Sequence, residues 1–316
     1  MHCPYCKTVQ KDVIFWGFRK TQKRGKIQRF KCTRCEKSFV ENHGFFHKHF
    51  PPETVLCVLS QYWKGLTSRE LADEHGVTQK TVLSWLKEYT VLLYGFLCKL
   101  IQKLTKKLHL DELFLRMCGA FFYLWDAICS DSRFFFWFLS PKRDIPSCKK
   151  LLEQCPFSDV IVTDGYDVYP RAIREHYHGQ ASHEQLVSFE DKKNNNIAER
   201  LQNTYRRWLH PKRGFHSLKT GRIQLQGFWV YYNFIRTHTG IGCCPAEKAK
   251  LIEPWKVKTV KQRLQQLIYQ ATIFWLKILT PITIVLSNSP TANYSRAAFE
   301  GKSKIYIQGW RLNKTI

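Results

Sequence analysis

Along this chain the spacing of hydrophobic positions changes several times, and each change predicts a different kind of element. Over residues 1–44 the apolar residues come only in short clusters, Val13-Ile14-Phe15-Trp16 and around Phe30, which predict short strands. After Pro51-Pro52 the spacing becomes helical. Residues 53–63, 67–75 and 78–89 are predicted helices, separated by Gly65 and Gly76. Leu66, Leu71, Ala72, Val77, Val82 and Leu86 would pack the three together, with Thr67 or Ser68 and Thr78 as N-caps. From residue 107 the apolar runs hardly alternate. Residues 107–115, 120–129 and 133–139 therefore predict strands covered on both faces, the last two strongly aromatic. A helix over 145–154, a strand over 159–164, a weak strand near 185–189 and helices over about 194–209 and 218–236 follow. The expected fold class is α/β, with helices on both faces of a sheet. The expected layout is 1–44, 50–95, 104–252 and a tail over 253–316.

Charge narrows the class of partner. The 316 residues carry 50 Lys+Arg against 25 Asp+Glu, a net +25 spread over the whole length, and such a field draws a polyanion. A hydrophobic content of 44%, with 15% aromatics, excludes a disordered chain. The start has no signal-peptide pattern, and the apolar run 271–286 contains Lys277 and Pro281 and is shorter than the ~20 residues of a membrane span. The expectation is a soluble, cytoplasmic protein, associated with nucleoid DNA and not with a membrane.

Cys3-Pro-Tyr-Cys6 and Cys32-Thr-Arg-Cys35 form two CxxC pairs with 25 residues between them. Each pair can make a tight knuckle, and four thiolates suit one tetrahedral Zn²⁺, so residues 1–44 are predicted to be a zinc ribbon. The other cysteines show no such pattern. Residues 65–85 read as a helix-turn-helix whose second helix would enter the major groove, with Gln79, Lys80 and Ser84 as candidate base contacts. The competing reading of this stretch is a plain three-helix packing unit.

The most informative residues are acidic. Asp111 and Asp164 each lie at or near the end of an apolar strand, and Glu199 opens a predicted helix with 34 residues between it and Asp164. Mg²⁺ takes oxygen ligands and keeps several waters, so a few carboxylates at strand and helix ends suffice to hold it. On the Glu199 helix, Ile197, Leu201 and Tyr205 form an apolar stripe, which leaves Glu199, Gln202, Asn203 and Arg206 for the opposite face.

The stretches Asp111-Glu112 with Gly119–Ile128, Thr163-Asp164-Gly165, and Asn195-Asn196-Ile197-Ala198-Glu199 with Arg206 and Arg213-Gly214 resemble the three catalytic blocks of DDE insertion-sequence transposases. They look most like insertion-sequence family six and its archaeal relatives. The resemblance covers about residues 1–250 and departs at Leu113, where relatives often have Thr, and at Cys129, where many have Asp. It implies an RNase H-like catalytic domain behind the zinc ribbon and helix-turn-helix. It implies Asp111, Asp164 and Glu199 as ligands of two Mg²⁺ (or Mn²⁺) ions, with Glu112 in support. Arg206, with Lys212 and Arg213, would contact DNA. The implied activity is that of a transposase that binds the terminal inverted repeats of its element, cleaves there and joins the 3′ ends to target DNA. A homodimer or larger assembly on double-stranded DNA follows, since two ends must be cut together. The rival is a non-catalytic, domesticated or decayed copy acting as a DNA-binding regulator.

Overall fold

The computed structural model describes residues 3, 6, 8, 10–22, 25–40, 45, 49–101, 107–186 and 195–287, and divides the chain into two units, Met1–Phe274 and Trp275–Ile316. At the N-terminus β1 (Val13–Thr21), β2 (Gly25–Cys32) and β3 (Ser38–Val40) make a three-stranded antiparallel sheet. Three helices follow, α1 (Pro52–Lys64), α2 (Ser68–Glu74) and α3 (Gln79–Leu97). Their starts match their caps. Thr67 forms a capping box with Glu70, and the Thr78 hydroxyl accepts from the Thr81 N–H.

β4 (Lys107–Met117), β5 (Ala120–Cys129) and β6 (Phe135–Ser140) form an antiparallel meander. α4 (Ile145–Leu152), β7 (Val160–Thr163), α5 (Val168–Tyr177) and β8 (Ser182–Gln185) come next. β7 lies parallel to β4, and β8 parallel to β7. The sheet order is therefore β6-β5-β4-β7-β8, which is the RNase H-like arrangement. Beyond it run α6 (Asn196–Leu209), α7 (Leu218–Val230), a π-turn over Tyr231–Ile235, α8 (Pro245–Lys248) and α9 (Val260–Ser287). No helix among the described residues is long and apolar enough to cross a membrane.

Helices cover both faces of the sheet, and side-chain contacts say which. Trp125 meets Tyr169 of α5 edge-on at 5.9 Å, while Phe135 meets Tyr205 of α6 and lies beside Phe228 of α7. The outer edge of β6 is capped at its first residue, Phe135, by side chains. Asn233 both accepts from the Phe135 N–H and donates to its carbonyl, and the Trp229 indole donates to the same carbonyl. At Phe135 this amide stands in for the groups of a neighbouring strand.

Several local expectations give way. α5 is absent from the hydrophobic reading because Pro170 sits in its first turn, where proline is tolerated, and its stripe of Tyr169, Ala172, Ile173 and Tyr177 is short. The weak strand expected at 185–189 lies earlier, as β8, and residues 187–189 fall outside the described ones. The far end of the β4–β5 hairpin is not covered, since Phe114 is 55% and Phe121 65% exposed. An aromatic run without alternation cannot reveal where a hairpin outgrows its core.

The helical block packs directly on the sheet's helices. The Trp208 indole on α6 donates to the Tyr62 carbonyl of α1, and Tyr94 of α3 meets Trp229 of α7 at 5.1 Å. At Gly227 the fit is tightest, since a Cβ there would lie 2.6 Å from Trp63 Nε1 and 2.8 Å from Thr90 Oγ1. Gly227→Ala is therefore expected to cost about 1–3 kcal/mol through overpacking, read as a lower thermal midpoint. An unchanged midpoint would mean that α7 and α3 part without cost.

Candidate active site and zinc site

Asp111 sits within β4 directly opposite Asp126 of β5, and Glu112 opposite Trp125. Because successive strand residues point to opposite faces, Asp111 and Glu112 serve different layers. Glu112 turns toward α5, where its buried carboxylate accepts from Tyr169 and pairs with Arg143. The Arg143 guanidinium in turn lies 3.5 Å from the centre of the Tyr166 ring, and the Tyr166 hydroxyl donates to the Arg143 carbonyl. Asp111 and Asp126 turn toward α6. Neither oxygen of the fully buried Asp126 closes a hydrogen bond of good geometry, and Tyr205 of α6 is its polar neighbour. Burial, then the charge of Asp111, holds the Asp126 carboxyl well above the usual carboxylate range, so it is a neutral acid.

α6 is stitched to β4 beside Asp111. The Asn195 amide donates to the Leu110 carbonyl and its oxygen meets His109 Nδ1 at 2.9 Å. Two turns along, the Gln202 amide donates to the Glu112 carbonyl, while its oxygen accepts from Arg206. These two amides take carbonyls of β4 beyond the residues paired with β7. Gln202 is therefore buried, not on the outer face with Glu199 and Arg206 as the stripe suggested. A glutamine tolerates burial when both ends of its amide are satisfied. Neither Asn195, Gln202 nor Asp126 was assigned a role from the sequence, although all lie inside the three acidic blocks.

Asp164 follows the last residue of β7 and accepts from the Tyr166 N–H, which fixes the turn. Asp111 and Asp164 act on each other electrostatically. Burial, with the charges of Glu112 and Asp164 adding to it and the Glu112 N–H opposing, pushes Asp111 up to about 7. Glu199 stands exposed in the first turn of α6. Among the described residues the three do not gather to within 4.8 Å of one another. Carboxylate oxygens are nonetheless the ligands a hard divalent cation takes, and a cation beside Asp111 would offset the burial and like charges that raise it.

The basic positions divide. Arg206 is exposed, with its guanidinium held by Asn203 and Gln202. Arg213 is exposed at a positive φ of 51° and lines a cleft of about 430 Å³ with Arg116, Cys118 and His216. Lys212, expected to meet DNA, instead has its amine between the Tyr62 and Trp208 rings, 4.6 and 4.5 Å from their centres. It donates to the Trp208 and Gly65 carbonyls, and burial lowers it to about 7. A sequence cannot distinguish a lysine facing phosphate from one caged by aromatic rings. At the start of α3, Gln79 donates to Ser68 of α2, whereas Lys80 and Ser84 are exposed.

The four N-terminal cysteines do gather. Their sulfurs all lie within 4.8 Å, with Cys3–Cys35 at 3.6 Å and Cys6–Cys32 at 3.4 Å. Tetrahedral Zn–S bonds of about 2.3 Å place sulfurs about 3.8 Å apart, so the set fits Zn²⁺. Burial opposes ionisation of Cys32, but the N–H groups of Cys35 and Arg34 and the Cys6 thiol bring it down to about 7.

Residues 105–238 match the family model described as a DDE domain. Residues 105–238 are therefore a DDE domain. Transposases for the insertion sequence-like element IS431mec of Staphylococcus aureus are 27% identical over 130 residues, 38% of this chain and 58% of theirs. The chain thus spans less than two thirds of the curated relatives it matches. The magnesium complex of the HTLV-2 integrase catalytic core domain aligns at 12% identity over 46% of this chain and 97% of that one, with a TM-score of 0.36. The BIV integrase catalytic core aligns at 12% identity over 46% and 94%, with a TM-score of 0.35. Scores this low leave the fold assignment to the strand order of the DDE domain itself.

Two outcomes follow. Freshly purified, reduced protein should hold one zinc per chain, and Cys32→Ser should lose it together with order in residues 1–44, since small zinc sites fold with their metal. Zinc-free wild-type protein would end that assignment. Asp111 has a folded pKa of about 7 against an ordinary value near 3.8. Its contribution to stability is therefore full below about pH 4 and lost as pH rises through 7. In buffer without added magnesium or manganese the thermal midpoint should fall as pH rises from about 4 to 7 and level off above that, and Asp111→Asn should flatten that fall.

Proposed function

We propose that this chain is a DNA transposase that binds the terminal inverted repeats of its own element, cleaves there and joins the freed 3′ ends to target DNA. The observation that carries the proposal is the pair Asp111 and Asp164 in a DDE domain: Asp111 lies on β4, Asp164 directly follows the neighbouring parallel strand β7, and the charge of Asp164 helps to raise Asp111. Asp111, Asp164 and Glu199 would hold two Mg²⁺ or Mn²⁺ ions, and strand alternation favours Asp111 over Glu112 because only Asp111 faces the helix that carries Glu199. When bound, such a metal pair activates the attacking oxygen and stabilises the leaving oxygen of the scissile phosphate.

The chain's own groups do the rest. Asn195 and Gln202 hold the start of α6 against β4, so Glu199 has a defined distance from the aspartates. Arg206, braced by Gln202, offers its guanidinium to a phosphate on the exposed side of that helix. Neutral Asp126 keeps a third full charge away from Asp111. The zinc ribbon and the helices 50–95 would bind the element's ends, with Lys80 and Ser84 free to reach a groove and Gln79 partly engaged by Ser68. A homodimer or larger assembly would bring two ends together.

The test is cleavage and joining of labelled duplexes that carry an element end. Wild-type protein should cut and join with Mg²⁺ or Mn²⁺. Asp111→Asn, Asp164→Asn and Glu199→Gln should each reduce both steps below detection while keeping binding to the ends. Wild-type protein that binds ends but cuts with neither ion would favour the regulator. Normal cutting by Asp164→Asn would overturn the triad.

A further inference from the structure

The N-terminal ribbon leaves unusual surface in water. Ile14, Phe15, Trp16 and Phe18 of β1 are 42%, 54%, 46% and 52% exposed. A β-bulge makes this arrangement. Gly17, at φ 72°, adds a residue between the Phe15–Phe30 and Phe18–Gln28 pairs. The extra residue reverses the alternation, so Phe15 and Phe18 fall on one face, where their rings meet edge-on at 5.3 Å. Ile14 and Trp16 fall on the other. Each face has its own cation: Lys26 Nζ lies 4.3 Å from the centre of Phe18, and Lys31 Nζ 4.8 Å from that of Trp16.

Exposed apolar groups this concentrated mark a binding surface. The charge around them says what binds. Between residues 10 and 40 the sequence has ten Lys and Arg but only Asp12 and Glu36 as acids. A dry protein interface would have to strip water from these ammonium groups, and lysine is depleted from such interfaces. Nucleic acid satisfies both features at once, with phosphates for the cations and base faces for the rings. Paired bases do not offer their faces, because each is already covered by its neighbours in the duplex. Rings on the open faces of a hairpin stack most readily on unpaired bases, because entering a duplex costs the unstacking of a base step.

We infer that the β1–β2 hairpin of the ribbon binds unpaired DNA, with Phe15, Phe18 and Trp16 as stacking platforms and Lys26 and Lys31 as phosphate contacts. This rests on the reading of the chain as a DNA-processing protein and assigns the ribbon to single-stranded segments at or beside the cut. The helices 50–95 keep the duplex.

The test uses the full-length, zinc-loaded chain and fluorescence anisotropy. One probe is an unstructured oligothymidine of about 20 nucleotides, the other its oligoadenosine duplex. Phe18→Ala and Trp16→Ala should each weaken binding to the single strand by about five-fold or more, the effect of one lost stack. Duplex affinity should stay within about two-fold, and zinc content should remain one per chain, which shows that the exposed-site variants fold. Equal loss on both probes would overturn the inference, because the rings would not be reading unpaired bases. So would unchanged binding with a shift in sedimentation of the variants, which would make this face a contact between copies. Wild-type protein that binds duplex but not the strand sinks the inference alone. Binding to neither probe sinks the DNA reading as a whole.

Discussion

Two aspartates directly opposite each other on adjacent strands cannot both be charged in a dry sheet. Asp111 and Asp126 are such a pair, and much of the DDE domain is arranged around the conflict. It is resolved by keeping Asp126 neutral, with Asp111 poised near neutrality and Asp164 adding its charge from the end of β7. Glu112 avoids the same crowd by pointing to the other face, where Arg143 and Tyr169 satisfy it. The sheet thus separates Glu112, which is internally paired, from Asp111, which on the proposed function is left for an outside cation. That separation is a consequence of strand alternation, and it is what gives neighbouring residues different chemistry.

On the proposed function, the helix bearing Glu199 must not drift relative to β4. α6 is held by side-chain amides on β4 carbonyls and by a packed face of Ala198, Leu201, Tyr205 and Trp208. The same helix reaches the other way, through Trp208 and the caged amine of Lys212, to the end of α1. α6 therefore links the carboxylates to the three-helix block. On the proposed function, recognition of an element's end by that block sets the position of the phosphate presented to the carboxylates, through the packing of α6 on α1.

Much of this was legible beforehand because it depends on local rules. The two CxxC pairs specify a tetrahedral site by ligand type and spacing, and their sulfurs meet accordingly. The caps at Thr67 and Thr78, and the unbroken apolar runs of β4 to β6, follow from hydrogen-bonding and burial needs that neighbouring residues settle among themselves. The order of the acidic blocks sufficed to point to a DDE domain.

Tertiary structure alone decided the matters that depend on partners distant in sequence. Lys212 is a cage residue because Tyr62, about 150 positions earlier, supplies one of its walls. Gln202 is buried because β4 has carbonyls to spare beyond its pairing with β7. Asp126 is held well above the usual carboxylate range because the packed layers bury it and Asp111 lies across from it. The outward aromatic rings of the ribbon depend on one bulge at Gly17, which shifts the alternation by a residue. A pattern of residue types determines which elements form. Which charge is paired, which is buried and which is left for a ligand is set by through-space distances, and those appear only once the elements have packed.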